Sequence, residues 1–251
     1  MLSVCLLTCN SERLLNDVVK SLIPVADEFI VIDSGSNDRT LEILENFGIT
    51  SHYHVYTTHA QQMNYAVSLA KNDWVLCMDS DEILNDDTIA DIRRIKEEGL
   101  NNKGVAYCLP RYWYVLGQPV RTIYPVSSPD FPVRLYHRQR VKFNDRPVDD
   151  AAEGDVQRQV LAGRVRHDTF YSLHEVFNKL NVYTSRAVKY TTIRPSLSRG
   201  ALSAFGAMFK WYFLNGSWKD GRVGLVTGVY AVSYSFLKYF KAWFYAAKNK
   251  Q

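Results

Sequence analysis

The sequence predicts an α/β fold, a mostly parallel sheet flanked by helices, with a helical C-terminal extension. Two observations predict the sheet. Leu2–Thr8, Glu28–Ile32 and Val75–Met78 are short strand-like runs, too short for helices and suited to strands covered on both faces. Each gives way to a polar loop and then to a stretch of helical periodicity. A third observation predicts the extension. Residues 189–251 hold ten Lys/Arg and one acid, Asp220, and carry +9, whereas residues 1–188 hold 20 Lys/Arg and 25 acids and carry −5. An acidic body and a basic tail imply different partners.

The first run ends at Cys9-Asn10-Ser11-Glu12, before a helix expected over Leu14–Ile23. Open α/β sheets bind ligands beyond the carboxyl ends of their strands, so Asn10 and Glu12 are candidate contacts; helix capping is the plainer alternative. The second run leads into Asp33-Ser34-Gly35-Ser36-Asn37-Asp38-Arg39-Thr40 and a helix over Thr40–Phe47. The Asp33 carboxylate can accept from a nucleobase N–H or a ribose hydroxyl. Gly35 permits close backbone approach, Asp38 can cap the helix, and Arg39 can reach a phosphate. The chain lacks GxGxxG, this region has no GK[ST], and Ser34 lacks the flanking glycines of a nucleophile elbow. Dinucleotide, P-loop and α/β-hydrolase sites are therefore not expected.

Gln62 and Asn64 open a helix over Met63–Lys71. The third run then ends in Asp79, Asp81 and Glu82. Carboxylates at i and i+2 of an extended segment face one side. Such a pair suits a hard cation, Mg2+ or Mn2+, that also binds phosphate oxygens. The alternative is an acidic N-cap for a helix over Ile83–Lys96. Val105–Tyr114 and Phe131–Tyr136 read as strands around a hairpin, Leu116–Tyr124, punctuated by Gly117 and Pro119. Arg111, Arg121 and Arg134 can meet an anionic acceptor, although surface exposure is the commoner fate of such residues. A strand over Val160–Arg166 precedes His167, and a helix follows over Leu173–Tyr190. His52, His54 and His59 show no ligand spacing. Cys5 and Cys77 fall inside strands and no CxxC pair exists, which points to buried thiols in a reducing compartment.

Asn10-x-Glu12, then Val31-Ile32-Asp33-Ser34-Gly35-Ser36-Asn37-Asp38-Arg39-Thr40, then Asp73-Trp74-Val75-Leu76-x-x-Asp79-x-Asp81-Glu82 together resemble glycosyltransferase family 2. Its members have a GT-A fold and use nucleotide-sugar donors. The resemblance implies that Asp33 contacts uridine and that Asp79, Ser80 and Asp81 form a DxD-type metal and diphosphate site. Gln62 and Asn64 resemble the Gln-Lys-Asn segment of bacterial lipopolysaccharide core β-glucosyltransferases, with Met63 in place of Lys. In that subgroup the base is the acid of a Pro-Val-His-Glu segment. Pro147-Val148-Asp149-Asp150 stands in the matching place. This implies Asp150 as base and Asp149 in place of His, with the register between the two acids open. His167, followed by Lys179-Leu180-Asn181-Val182-Tyr183, resembles the subgroup too, which implies a third metal ligand or a diphosphate contact. The implied donor is UDP-glucose. The implied acceptor is an inner-core heptose of a lipid-anchored oligosaccharide, joined with inversion through a β linkage.

These readings divide the chain into a GT-A-like catalytic domain, residues 1–190, and a basic amphipathic extension, residues 191–251. The longest uncharged run of the extension, Val223–Leu237, has 15 residues, short of the roughly 20 that span a bilayer. Its aromatics (Phe205, Phe209, Trp211, Tyr212, Phe213, Trp243, Phe244) and its Lys/Arg suit the surface of an anionic leaflet. The interface of a homo-oligomer is the competing expectation. No nucleic-acid motif accompanies the charge. Met1 leads into a strand without a basic n-region, so the expected location is cytoplasmic, peripheral on the inner face of the bacterial cytoplasmic membrane. A nucleotidyltransferase would want a Gly-rich basic loop where Cys9–Glu12 stands. A non-catalytic nucleotide-sugar-binding protein stays open through the Asp149-Asp150 departure.

Overall fold

The computed structural model describes residues 1–146 and 150–248. They form two compact units, one from Met1–Arg111 and Phe131–His167, the other from Tyr112–Asp130 and the chain from Asp168 onward.

The first unit is built on a seven-stranded sheet. Its leading strands are β1 (Leu2–Thr8), β2 (Glu28–Asp33), β3 (Ser51–Tyr53) and β4 (Trp74–Asp79). A short β5 (Glu82–Leu84) lies outside that sheet, and β6 (Val105–Cys108) returns to it. The order across the sheet is Gln157–Val160, β6, Val133–His137, β4, β1, β2, β3. The four strands from β4 to β3 run parallel, and Val133–His137 is antiparallel to both its neighbours. This is the helix-flanked mixed sheet of the GT-A fold, with the expected helical C-terminal extension.

The apolar runs are explained by burial on both faces. Helices α1 (Leu15–Leu22), α2 (Thr40–Asn46), α3 (His59–Leu69) and α4 (Asp86–Glu97) flank the sheet. Val4, Leu6, Leu76 and Met78 pack with Leu15, Val18, Val19 and Leu22 of α1 and Ile92 and Ile95 of α4. The alternate residues Cys5, Ile30, Ile32, Val75 and Cys77 pack with Ala60, Met63 and Ala66 of α3. Met63 is therefore a core residue, consistent with an apolar side chain at that position.

Asn85 caps α4, its Oδ1 accepting the Thr88 N–H at 3.0 Å. β5 intervenes between that cap and Asp79, so the strand-end acids do not start the helix. The strand expected over Val160–Arg166 lies at Val165–Phe170, which puts His167 within it.

The second unit holds α5 (Leu173–Tyr190), α6 (Leu197–Ala207), a π-helical turn at Met208–Leu214 and α7 (Gly221–Lys248). Val115, Ile123, Phe170, Val176, Leu180, Val223 and Tyr230 form its core. Lys241 Nζ donates to the Asn181 carbonyl, Asn181 Oδ1, Thr184 Oγ1 and Ser185 Oγ at 2.7–2.8 Å, and so fastens α7 to α5. Among the described residues no helix is long and apolar enough to cross a membrane.

Candidate active site

Parallel pairing sets Thr8 opposite Asp33 and Leu7 opposite Asp79. The loops after β1, β2 and β4 therefore open on one edge of the sheet, where ligands bind in such folds.

The first two loops are stitched to each other. Asn10, at φ 50°, accepts the Asn37 N–H on Oδ1 at 2.9 Å, and its own N–H donates to Ser36 Oγ at 2.8 Å. Glu12 Oε2 accepts the Arg39 N–H, and the Glu12 N–H donates to Asp38 Oδ2, both at 3.1 Å. Asp38 also accepts the Thr40 N–H at 3.0 Å, at the start of α2. The Arg39 guanidinium forks onto Glu42 at 2.9 and 3.1 Å on the helix surface.

Asp33 is turned into its own loop. Oδ1 accepts from the N–H groups of Gly35 and Ser36 at 2.9 and 2.8 Å, and Oδ2 from the hydroxyls of Ser36 and Thr8 at 2.6 and 2.9 Å. A carboxylate has about four lone-pair sites, and here the chain itself occupies all of them. Burial pushes the carboxyl up, but these donors outweigh it and hold it below its ordinary range. Gly35 has φ 99°, which glycine adopts without the strain a Cβ would bring.

Helix α3 braces the edge from below. Gln62, fully buried, donates to Ser34 Oγ at 2.8 Å and to the His54 carbonyl at 3.0 Å, and its Oε1 meets His54 Nδ1. Asn64 holds both backbone groups of Phe143, donating to the carbonyl at 2.9 Å and accepting the N–H at 3.1 Å. The two amides expected to face a ligand are thus structural ties, and the second fixes the segment that leads towards Asp150.

At the end of β4, Ser80 Oγ lies 2.7 Å from Ser11 Oγ. Glu82 is wholly buried and neutralised by Arg111 at 2.8 Å and by Arg134. Arg134 also reaches Asp79 Oδ2 at 2.8 Å, while His59 Nε2 lies 2.8 Å from Asp79 Oδ1. The other ring nitrogen of His59, Nδ1, is 2.6 Å from Asp150 Oδ2. Burial would raise the Asp79 carboxyl, but His59 and Arg134 hold it well below the usual carboxylate range. Burial would likewise lower His59, but Asp79 and Asp150 push it up to about 10. Sequence spacing carries no sign of this ring, since its partners lie 20 and 91 residues away.

Of the three residues expected to hold metal, two converge. His167 Nε2 lies 3.2 Å from Asp81 Oδ2. Two adjacent donors on bonds of about 2.1 Å to one ion stand about 3.0 Å apart, so this pair fits a shared divalent cation. Asp79 does not join them, because His59 and Arg134 occupy its two oxygens. Among the described residues no three His, Cys, Asp or Glu form a metal cluster. The protein would thus supply two ligands and leave the remaining positions to phosphate and water, as Mg2+ sites commonly do. Asp149 lies outside the described residues.

A model of the family described as "Glycosyl transferase family 2" matches residues 3–113, which carry β1 to β6. An uncharacterized glycosyltransferase of Rickettsia felis is 30% identical over 198 residues, 75% of this chain and 69% of that protein. The poly(ribitol-phosphate) β-N-acetylglucosaminyltransferase TarS of Staphylococcus aureus is 29% identical over 171 residues, 57% of this chain but 28% of TarS. The crystal structure of S. aureus TarS 1–349 in complex with UDP aligns at TM-score 0.46 and 16% identity, covering all of this chain and 92% of that one. Matched along more than two thirds of a glycosyltransferase, and by the family model across the strands that build this edge, the chain belongs to glycosyl transferase family 2.

Proposed function

We propose that this transferase moves a hexose from a UDP-sugar, UDP-glucose first among the candidates, onto a sugar hydroxyl of a lipid-anchored oligosaccharide such as an inner-core heptose. The observation that carries the reading is that Asp81 pairs with His167 while His59 links Asp150 to Asp79, two residues before Asp81. In this reading Asp81 and His167 grip the diphosphate through a cation, and Asp150 deprotonates the incoming hydroxyl.

In this reading Asp150 takes the proton as the acceptor oxygen attacks the anomeric carbon. The glycosidic C–O bond to the diphosphate breaks, and its electron pair leaves with UDP. Attack opposite the leaving group inverts the centre, so an α-linked donor gives a β product. A divalent cation on Asp81 and His167 supplies Lewis-acid stabilisation of that leaving group when bound. Arg111 and Arg134 pair with the buried Glu82 and leave Asp81 and His167 to the cation. Asp33, Asn10, Glu12 and Asp38 serve the nucleoside by fixing the shape of the loops around it.

Likeness to TarS favours a second reading, an N-acetylglucosaminyl donor and a phosphate-bearing polymer as acceptor. A donor screen with purified protein, reading UDP release for each sugar nucleotide with and without Mn2+, separates the two. Asp150→Asn is expected to cut transfer about 10²–10⁴-fold, the usual worth of a general base, with UDP affinity unchanged in a binding titration. A loss of UDP affinity would remove Asp150 from the role of base.

The C-terminal helices fit the surface of an anionic bilayer, which would hold the enzyme at the cytoplasmic leaflet where a lipid-anchored acceptor is presented.

A further inference from the structure

We propose that His59 is the positioning residue for the base, a ring wedged between the end of β4 and Asp150 that sets where the second oxygen of Asp150 stands. The inference rests on the reading of Asp150 given above.

Local structure explains why this ring sits there. Thr58 caps α3, accepting the Gln61 N–H at 3.2 Å, so His59 is the first residue of the helix and projects from its N-terminal end. The ring meets Phe143 edge-on, centroids 5.6 Å apart at 72°, and Asn64 pins the Phe143 backbone. Ring plane and neighbour are thus set by one helix. Nε2 is tied to Asp79, itself held by Arg134, and Nδ1 to Asp150 Oδ2. Among the described residues Asp150 Oδ1 has no protein partner, which leaves it to an incoming hydroxyl. A carboxylate fixed through one oxygen presents the other in one direction. A base misplaced by about 1 Å can lose about 10²-fold in rate. Asp150 has a single methylene, so its reach is short, and the imidazole spans the distance back to the sheet.

The test measures UDP release from UDP-glucose in Mn2+ for wild type, His59→Ala, His59→Gln, Asp150→Asn and the His59→Ala/Asp150→Asn double variant. The expected result for His59→Ala is kcat down about 10²-fold with donor KM within about threefold. Added imidazole should restore part of kcat. The double variant should be no slower than Asp150→Asn, because groups acting through one another are not additive. His59→Gln, which keeps much of the side-chain volume, covers the case in which alanine unfolds the chain. Full kcat in either single His59 variant, or losses that add in the double variant, would overturn the inference. Full activity in Asp150→Asn would instead overturn the assignment of the base. The wedge is also read without turnover: isotope-labelled His59 ring-nitrogen resonances should shift in Asp150→Asn, and unmoved resonances would refute it whatever the enzyme does.

Discussion

Arg134 carries more of the site than any sequence pattern suggests. It is an arginine in a strand, ordinarily a surface charge, yet it is buried against Glu82 and Asp79. Removing one partner of a buried ion pair strands the other in low dielectric and costs about 3–5 kcal/mol. Arg134→Ala should lower stability by about that amount in a denaturant titration, somewhat less because Arg111 still pairs with Glu82. Asp27 gives a pH-dependent counterpart. Its Oδ2 accepts the Leu2 N–H at 2.6 Å and lies 2.9 Å from Lys96 Nζ. Burial raises the carboxyl, but Lys96 and the Leu2 N–H outweigh it and hold it low. A carboxyl depressed by folding stabilises above its unfolded value of about 3.9 and loses that contribution as pH falls through the folded one. Asp27→Asn should therefore be less stable than wild type at neutral pH, with the gap closing in thermal melts run at progressively more acid pH. The carboxylates were legible in the sequence because acids at the end of an apolar strand contradict burial. His59 and Arg134 were not, because their roles come from partners 91 and 55 residues away, and a lone His or Arg has no local signature.

At the scale of elements, the strands were the most legible part: Leu2–Thr8 was read to the residue, and β4 to within one at each end. A continuous apolar run covered on both faces and bounded by polar loops leaves little freedom in where the strand ends. The acidic stretch after β4 was ambiguous between cap and site, and the Asn85 cap and the intervening β5 remove the cap reading. The basic extension resolves into parts with different tasks. Lys241 faces inward, fastening α7 to α5, and Trp211 is buried edge-on to Tyr124 at 5.3 Å. Phe205, Phe209 and Phe213 remain 64%, 55% and 49% exposed. The rings of Phe209 and Phe213 stand with centroids 6.4 Å apart. No acid falls between Glu175 and Asp220, and Asp220 is engaged by Arg121. Changing the three rings together to Ser should weaken binding to anionic vesicles at least about 10-fold, given about 1.5–3 kcal/mol for each fully buried Phe and less at an interface. Co-sedimentation with anionic and neutral vesicles checks this. Unchanged sedimentation with a smaller particle in light scattering would point to a subunit interface instead.

Across the whole molecule, the acidic first part and the basic last part keep the division of charge expected from the sequence. The edge that gathers the acids follows from topology: once β1, β2 and β4 are parallel neighbours, their carboxyl ends must coincide. The sheet also has two rims, and each is poor in what a docking chain would need. β3 has three residues, and Gln157–Val160 is a solvated four-residue strand carrying an arginine. Short, polar rims offer little template for strand addition, so fibres grown from this sheet by that route are disfavoured.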